Sequence, residues 1–177
     1  VTEPREELRD MELLVDRLPG DLERAVRAVL AQACERDLRL ATAESCTGGL
    51  LAALLTDVEG CSHAFERAFV TYSEEAKTDM LGVDPGLIAE AGAVSAAVAR
   101  AMAIGALARS RADIVLAVTG FAGAAGPEDE PGLVHFACAR RGREPVLREA
   151  HFGNRGRSAI RLETVRMAVR MMRDALD

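Results

Sequence analysis

The chain has 177 residues, 49% of them apolar, and a formal net charge of −6. That is close to the usual size of one domain with one sizeable core. The acidic balance disfavours nucleic acid as the main partner, because phosphate-backbone binding needs a basic surface. No apolar run is long enough to span a membrane.

The charged stretch Val1 to Asp10 lacks a signal peptide's apolar segment, so a cytoplasmic location is expected. Residues 1–20 read as a short helix or loose extension, and residues 21–177 as a single domain. Residues 21–36 carry a helical stripe of Leu22, Val26, Val29, Leu30 and Ala33, with Asp21 as the expected N-cap. Leu38 to Ala43 reads as a strand. It runs into Glu44-Ser45-Cys46-Thr47-Gly48-Gly49 and then a helix to about Leu55. Residues 65–72 read as a second strand, and Glu74 to Leu81 as a helix stopped near Gly82 and Pro85. An Ala-rich helix over 94–109 takes Ser95 as its cap. Asp113 to Val118 is an apolar strand entering Thr119-Gly120-Phe121-Ala122-Gly123, followed by an acidic Gly/Pro loop from Ala124 to Pro131. Residues 132–139 and 146–152 read as a strand pair. A last helix starts at Gly156 or Arg157 and presents Ile160, Val165, Val169 and Met172. Alternating strands and helices predict an α/β layered fold, with a mixed, mostly parallel central sheet flanked by helices. Ligands in such folds sit beyond the carboxyl ends of strands, here after Ala43 and after Val118.

Four constellations can carry chemistry. The first is the Ser45 turn: a serine between strand and helix, followed by backbone amides suited to an oxyanion or a phosphate, or simply a helix cap with packing glycines. Cys46 is a rival nucleophile, though no histidine is near it in sequence. The second surrounds Lys77. The 22 basic residues divide into 21 arginines and this one lysine, and the only tyrosine, Tyr72, lies five residues before it. Lysine can lose its proton in a buried site and arginine effectively cannot. A serine nucleophile needs such a base, and Ser–Lys pairs are one solution. A solvated helix lysine is the alternative. The third is Thr119 and Gly120 at a strand end. The fourth is Arg155 and Arg157, either of which can clamp a phosphate or carboxylate.

Cys34, Cys46, Cys61 and Cys138 form no C-x-x-C pair and read as reduced thiols. His63, His135 and His151 are scattered, so no metal and no cofactor are expected. A Walker loop is absent.

The segments AESCTGGLLAALLTDVEG (43–60), FVTYSEEAKTDMLGV (69–83), GAVSAAVARAMAIGAL (92–107) and DIVLAVTGFAG (113–123) together resemble the CinA C-terminal domain family, the nicotinamide-nucleotide amidohydrolases, in a stand-alone form. The resemblance covers residues 22–176. It implies hydrolysis of the carboxamide of nicotinamide mononucleotide in pyridine nucleotide recycling. Ser45 would be the nucleophile and Lys77 the base, with Tyr72 and Thr119 in support. Cys46, Thr47, Gly48, Gly49 and Gly120 would contact substrate, and Arg157 or Arg155 its phosphate. A small-molecule nucleotide is the expected partner, with no nucleic acid or membrane, and a homo-oligomer is expected. One departure is visible: the loop after Gly123 is shorter and more acidic than the family's and lacks its lysine. That loop motivates an alternative, a nucleotide- or phosphate-binding module without turnover. A competence- or DNA-damage-associated partner protein is a further reading.

Overall fold

The computed structural model describes residues 19–123, 126 and 129–177. All but the last two residues of the expected 1–20 extension lie outside that set, as do residues 124, 125, 127 and 128 of the acidic loop. The described elements are α1 (Gly20–Glu35), β1 (Leu40–Glu44), α2 (Leu50–Thr56), β2 (Phe65–Val70), α3 (Glu74–Leu81), α4 (Pro85–Ala91), α5 (Ala96–Ala108), β3 (Ile114–Gly120), β4 (Leu133–Arg140), β5 (Val146–His151) and α6 (Arg157–Leu176).

The strands form one sheet in the order β2-β1-β3-β4-β5. β1 pairs in parallel with β2 and β3, and β4 runs antiparallel to both β3 and β5. Only β4 therefore points the other way. The parallel pairs are joined by helical crossovers, and β4–β5 by a tight turn, as each pairing requires.

The sheet separates two cores. Ile114, Leu116 and Val118 of β3 point to one face, with Leu40, Val134 and Phe136, and pack against α1, α2 and α6. Val115 and Ala117 point to the other face, joining Ala41, Ala43, Ala137 and Ala139 beneath α3, α4 and α5. The period-2 alternation thus sorts large side chains to one face and small ones to the other. The small-residue face accepts the alanine-rich α5. At Gly105 of that helix an added Cβ would lie 2.1 Å from the Leu81 carbonyl oxygen, so only glycine lets α5 approach the end of α3 this closely.

Local signals explain most boundaries. The Ser73 hydroxyl accepts from the Ala76 amide and caps α3, and Ser95 accepts from Val98 and caps α5. Gly82, at φ +70°, ends α3. Asp21 is not the N-cap of α1. Pro19 holds that position, and the Leu22 and Glu23 amides donate to its carbonyl. Asp21 lies in the first turn, where its carboxylate favours the positive helix end and pairs with Arg166 of α6. The short helix α4 was not expected from sequence. Asp84 caps it with a 2.9 Å bond from the Gly86 amide, and Pro85 occupies its first position. No described helix is long and apolar enough to cross a membrane.

Candidate active site

Three parallel strands end at the same edge, and each delivers part of one site. Ser45 follows β1, Tyr72 follows β2, and Thr119 and Gly120 close β3. The ladder continues one step past β1 on each side, with Ser45 N donating to Val118 O at 3.1 Å and Thr71 N to Glu44 O at 2.8 Å. The segment after β1 is therefore fixed from both neighbours before it turns into α2.

That turn is organised by Glu44, whose side chain is fully buried. Its Oε2 accepts from the amides of Gly49 and Leu51, each at 3.1 Å, and its Oε1 accepts from the Ala52 amide at 2.8 Å and the Thr42 hydroxyl at 3.2 Å. Gly49 has no side chain to cap α2, so the carboxylate caps the helix from below and neutralises its positive end. Gly48 and Gly49 take φ of +58° and +89°, which lets the chain reverse sharply enough to face its own preceding glutamate. Glu44 went unnoticed in the sequence. The signal available was an acid placed just before a strand–glycine turn–helix junction.

The turn lifts Ser45 against Lys77 of α3. Lys77 Nζ lies 3.1 Å from Ser45 Oγ and donates to the Thr71 carbonyl at 3.0 Å. Lys77 is only 2% exposed and Ser45 8%. Burial pushes the Lys77 pKa down from its ordinary value, and the charge of Glu74 opposes that only in part. Cys46 is buried beside the pair, and desolvation pushes its thiol up to about 12. It is a poor source of thiolate at neutral pH.

The pair opens into a cavity of 290 Å³ shared with Tyr72, Thr119, Gly120 and Arg157. Tyr72 is exposed at the rim, and Arg157, from the first turn of α6, donates to its hydroxyl at 3.3 Å. The Thr119 hydroxyl donates to the Ala93 carbonyl at 2.8 Å, tying β3 to the segment before α5. The structure thus brings together Ser45, Cys46, Lys77, Tyr72, Thr119, Gly120 and Arg157. It leaves out Arg155, whose exposed side chain lines no part of the cavity. Thr47, Gly48 and Gly49 also stand behind the cavity wall rather than on it. The Gly48 amide is spent on Ser45 O at 3.0 Å and the Gly49 amide on Glu44, so of the backbone amides that follow Ser45 neither glycine's is open to a ligand. The cavity also takes in Ser73, Glu74, Val94, Phe121 and Ala122, which sequence reasoning did not single out. Among the described residues, no three His, Cys, Asp or Glu side chains are arranged to hold a metal ion.

Fold and site define an α/β/α sandwich with a buried Ser–Lys pair at its strand ends. The chain belongs to the CinA C-terminal domain family, whose model matches residues 22–176. It is 44% identical to the nicotinamide-nucleotide amidohydrolase PncC of Escherichia coli, over 77% of this chain and 84% of that protein. It is 48% identical to a CinA-like protein of Akkermansia muciniphila over 88% of this chain, but only 37% of that protein. The chain spans about a third of the length of such CinA-like relatives. Among solved structures, the competence/damage inducible protein CihA of Agrobacterium tumefaciens superposes with a TM-score of 0.86 at 46% identity, covering 90% of this chain and 97% of that one.

Proposed function

We propose that the chain hydrolyses the carboxamide of nicotinamide mononucleotide to nicotinic acid mononucleotide and ammonia. The observation that carries this reading is the 3.1 Å contact between Ser45 Oγ and a buried Lys77 Nζ at the floor of a cavity with an arginine at its rim. The amidohydrolase name of the E. coli relative supports the substrate class.

In this mechanism Ser45 Oγ attacks the amide carbon while neutral Lys77 takes its proton. Negative charge develops on the former carbonyl oxygen. The amide of Cys46, on a residue that lines the cavity, is the donor this turn offers it. Protonated Lys77 then returns the proton to the departing nitrogen. The C–N bond breaks, ammonia leaves, and an acyl ester remains on Ser45. Water, deprotonated by Lys77, attacks that ester and releases the carboxylic acid. Arg157 binds the substrate phosphate, with Tyr72 holding its guanidinium at the rim. Thr119 shapes the wall beside the reacting group. A cytoplasmic location, a role in pyridine nucleotide recycling and a homo-oligomeric state belong to the same reading. The exposed Val70 and Met80 support the last of these, and sedimentation tests it.

The direct test is ammonia release from nicotinamide mononucleotide by the purified chain and by Ser45→Ala. The wild type is expected to turn over and the variant to fall by at least a thousandfold. Full activity in Ser45→Ala removes the serine from the mechanism.

A further inference from the structure

We infer that Arg161 is a positioning residue that clamps the Ser45–Gly49 turn from its outer side, an inference that rests on the Ser45 reading above. Arg161 lies four residues after Arg157 on α6, so the two share one helix face. They do different work. Arg157 reaches the cavity, whereas Arg161 lines no part of it and passes behind the turn. Its Nη2 donates to the Thr47 carbonyl at 2.5 Å. The same group lies 3.8 Å from where a Cβ on Gly48 would stand, so the guanidinium covers that glycine.

The placement is costly. Arg161 is half-buried, its Nε is sealed from solvent without a hydrogen-bond partner, and no carboxylate among the described residues lies within ion-pair distance of it. A partly desolvated guanidinium without a counter-ion destabilises a fold rather than supporting it. Residues that break a local rule in this way concentrate at functional sites.

The geometry shows what the contact does. Thr47 O also accepts from the Leu50 amide at 3.2 Å, so the carbonyl is held by both α2 and α6. The peptide that carries this carbonyl also carries the Gly48 amide, and peptide planarity turns that N–H toward Ser45 O. Fixing Thr47 O therefore fixes the closure of the turn on Ser45 itself. Glu44 grips the inner side of the same turn through Gly49 and Leu51. The turn is held between a carboxylate and a guanidinium, and the cavity-lining Cys46 with its amide lies on the segment they fix. Preorganisation of such donors, before charge develops, is what makes them effective.

The test is steady-state kinetics on nicotinamide mononucleotide with Arg161→Ala and Arg161→Lys. Removing a direct oxyanion donor costs about 10²–10³ in kcat, so loss of its support is expected to cost about 10–100-fold in Arg161→Ala. KM stays within about twofold and the apparent pKa of the pH profile stays put, because neither Arg157 nor Lys77 is touched. Added guanidinium ion at millimolar concentration recovers part of the loss. Arg161→Lys falls between wild type and Arg161→Ala. An unchanged kcat in folded Arg161→Ala overturns the inference, and so does a rise in KM alone, which makes Arg161 a substrate ligand. Should Arg161→Ala fail to fold, Arg161→Lys carries the test: a reduced kcat at unchanged KM supports the inference, and wild-type kinetics overturn it. Should the wild type not turn over this nucleotide, the substrate reading fails by itself. Arg161 is then read by the rate at which a fluorophosphonate probe labels Ser45, expected to drop about tenfold in Arg161→Ala. An equal labelling rate overturns the inference.

Discussion

Lys77 Nζ stands 3.1 Å from Ser45 Oγ, although the two groups come from opposite sides of a strand–helix–strand crossover. The contact needs three things at once: a β1 end that projects Ser45, a β2 end that bends back at Thr71, and an α3 whose first turn is capped at Ser73. The Thr71 carbonyl takes one amine proton and thereby aims the nitrogen at the serine. No carboxylate among the described residues is bonded to the amine, so burial dominates and pulls its pKa below the ordinary lysine value.

Activity should therefore rise with pH along a limb whose midpoint lies below the ordinary lysine value of 10.5. Below that midpoint Lys77 is protonated and cannot accept the serine proton. Lys77→Arg keeps the charge but offers no base, so kcat should fall by about 10²–10⁴ and the limb should disappear. A wild-type-like pH profile in Lys77→Arg would exclude the base role.

The same burial predicts a stability effect of definite sign. A lysine whose folded pKa is depressed leaves the unfolded chain binding more protons between the folded value and 10.5. Stability associated with Lys77 is thus fully present only above 10.5 and is lost as pH falls through the folded pKa. Lys77→Met removes that cost, so thermal melting at pH 7 should shift upward, by roughly 2–4 °C per kcal/mol relieved. The gap between variant and wild type should narrow as pH approaches 10.5. A variant that melts lower than wild type at neutral pH would mean that packing of the lysine stem outweighs desolvation of its amine.

Cys46 adjoins the nucleophile in sequence and in space, yet its thiol is pushed up to about 12, as is that of Cys138. Cys34 and Cys61 are only partly buried. Titration of the native chain with a disulfide reagent at pH 8 should find two accessible thiols and two that react only on unfolding. Cys46→Ala should keep kcat within a few-fold of wild type. Rapid modification of Cys46 accompanied by loss of activity would make the cysteine, not the serine, the group to pursue.

Much of this site was legible in the sequence because its parts are local signals. A serine and two glycines between a strand and a helix, and a lone lysine in an arginine-rich chain, can be read off a line of text. Glu44 and Arg161 could not be placed the same way. The acid reads as one more charged residue until β1 is known to end there, since only then do its oxygens meet four donors. Arg161 is one arginine among many on α6, and its partner is a backbone carbonyl 114 residues away in sequence. That Arg157 rather than Arg155 lines the cavity likewise depends on where α6 begins, because the helix start directs Arg157 toward Tyr72. Strand ends and helix caps moved by one or two residues for the usual reason that neighbours, not propensity, set them.

Arg157 is exposed, so its worth lies in what it binds rather than in what it holds. Arg157→Ala should leave thermal stability unchanged and raise KM for nicotinamide mononucleotide by about 10–100-fold, with kcat less affected. The dephosphorylated nucleoside supplies the control. If the guanidinium reads the phosphate, the variant and wild type should process that nucleoside with equal, weak efficiency. A matching loss on both substrates would place the arginine against the ribose or the ring. Tyr72→Phe should reproduce a smaller part of the KM effect, because it frees the guanidinium without removing it.

Glu44 should behave differently from every residue on the cavity wall. Its carboxylate accepts four hydrogen bonds in a fully buried position, and three of them come from the start of α2. In Glu44→Gln one oxygen becomes an NH₂ group that must face amide donors. Those donors lose their acceptor inside the core, and each buried unsatisfied group costs about 1–3 kcal/mol. A loss of roughly 2–4 kcal/mol is expected, with a fall in melting temperature of about 4–16 °C at 2–4 °C per kcal/mol. Activity should fall in parallel, because the same turn carries Ser45. Glu44→Asp, one methylene shorter, should recover charge but not reach, and lie between the two. Melting and kcat measured together separate the two grips on the turn: Glu44 variants lose both, whereas Arg161→Ala should lose turnover with little change in melting. A Glu44→Gln variant as stable as wild type would show that α2 is held by its packing on the sheet and not by its carboxylate cap.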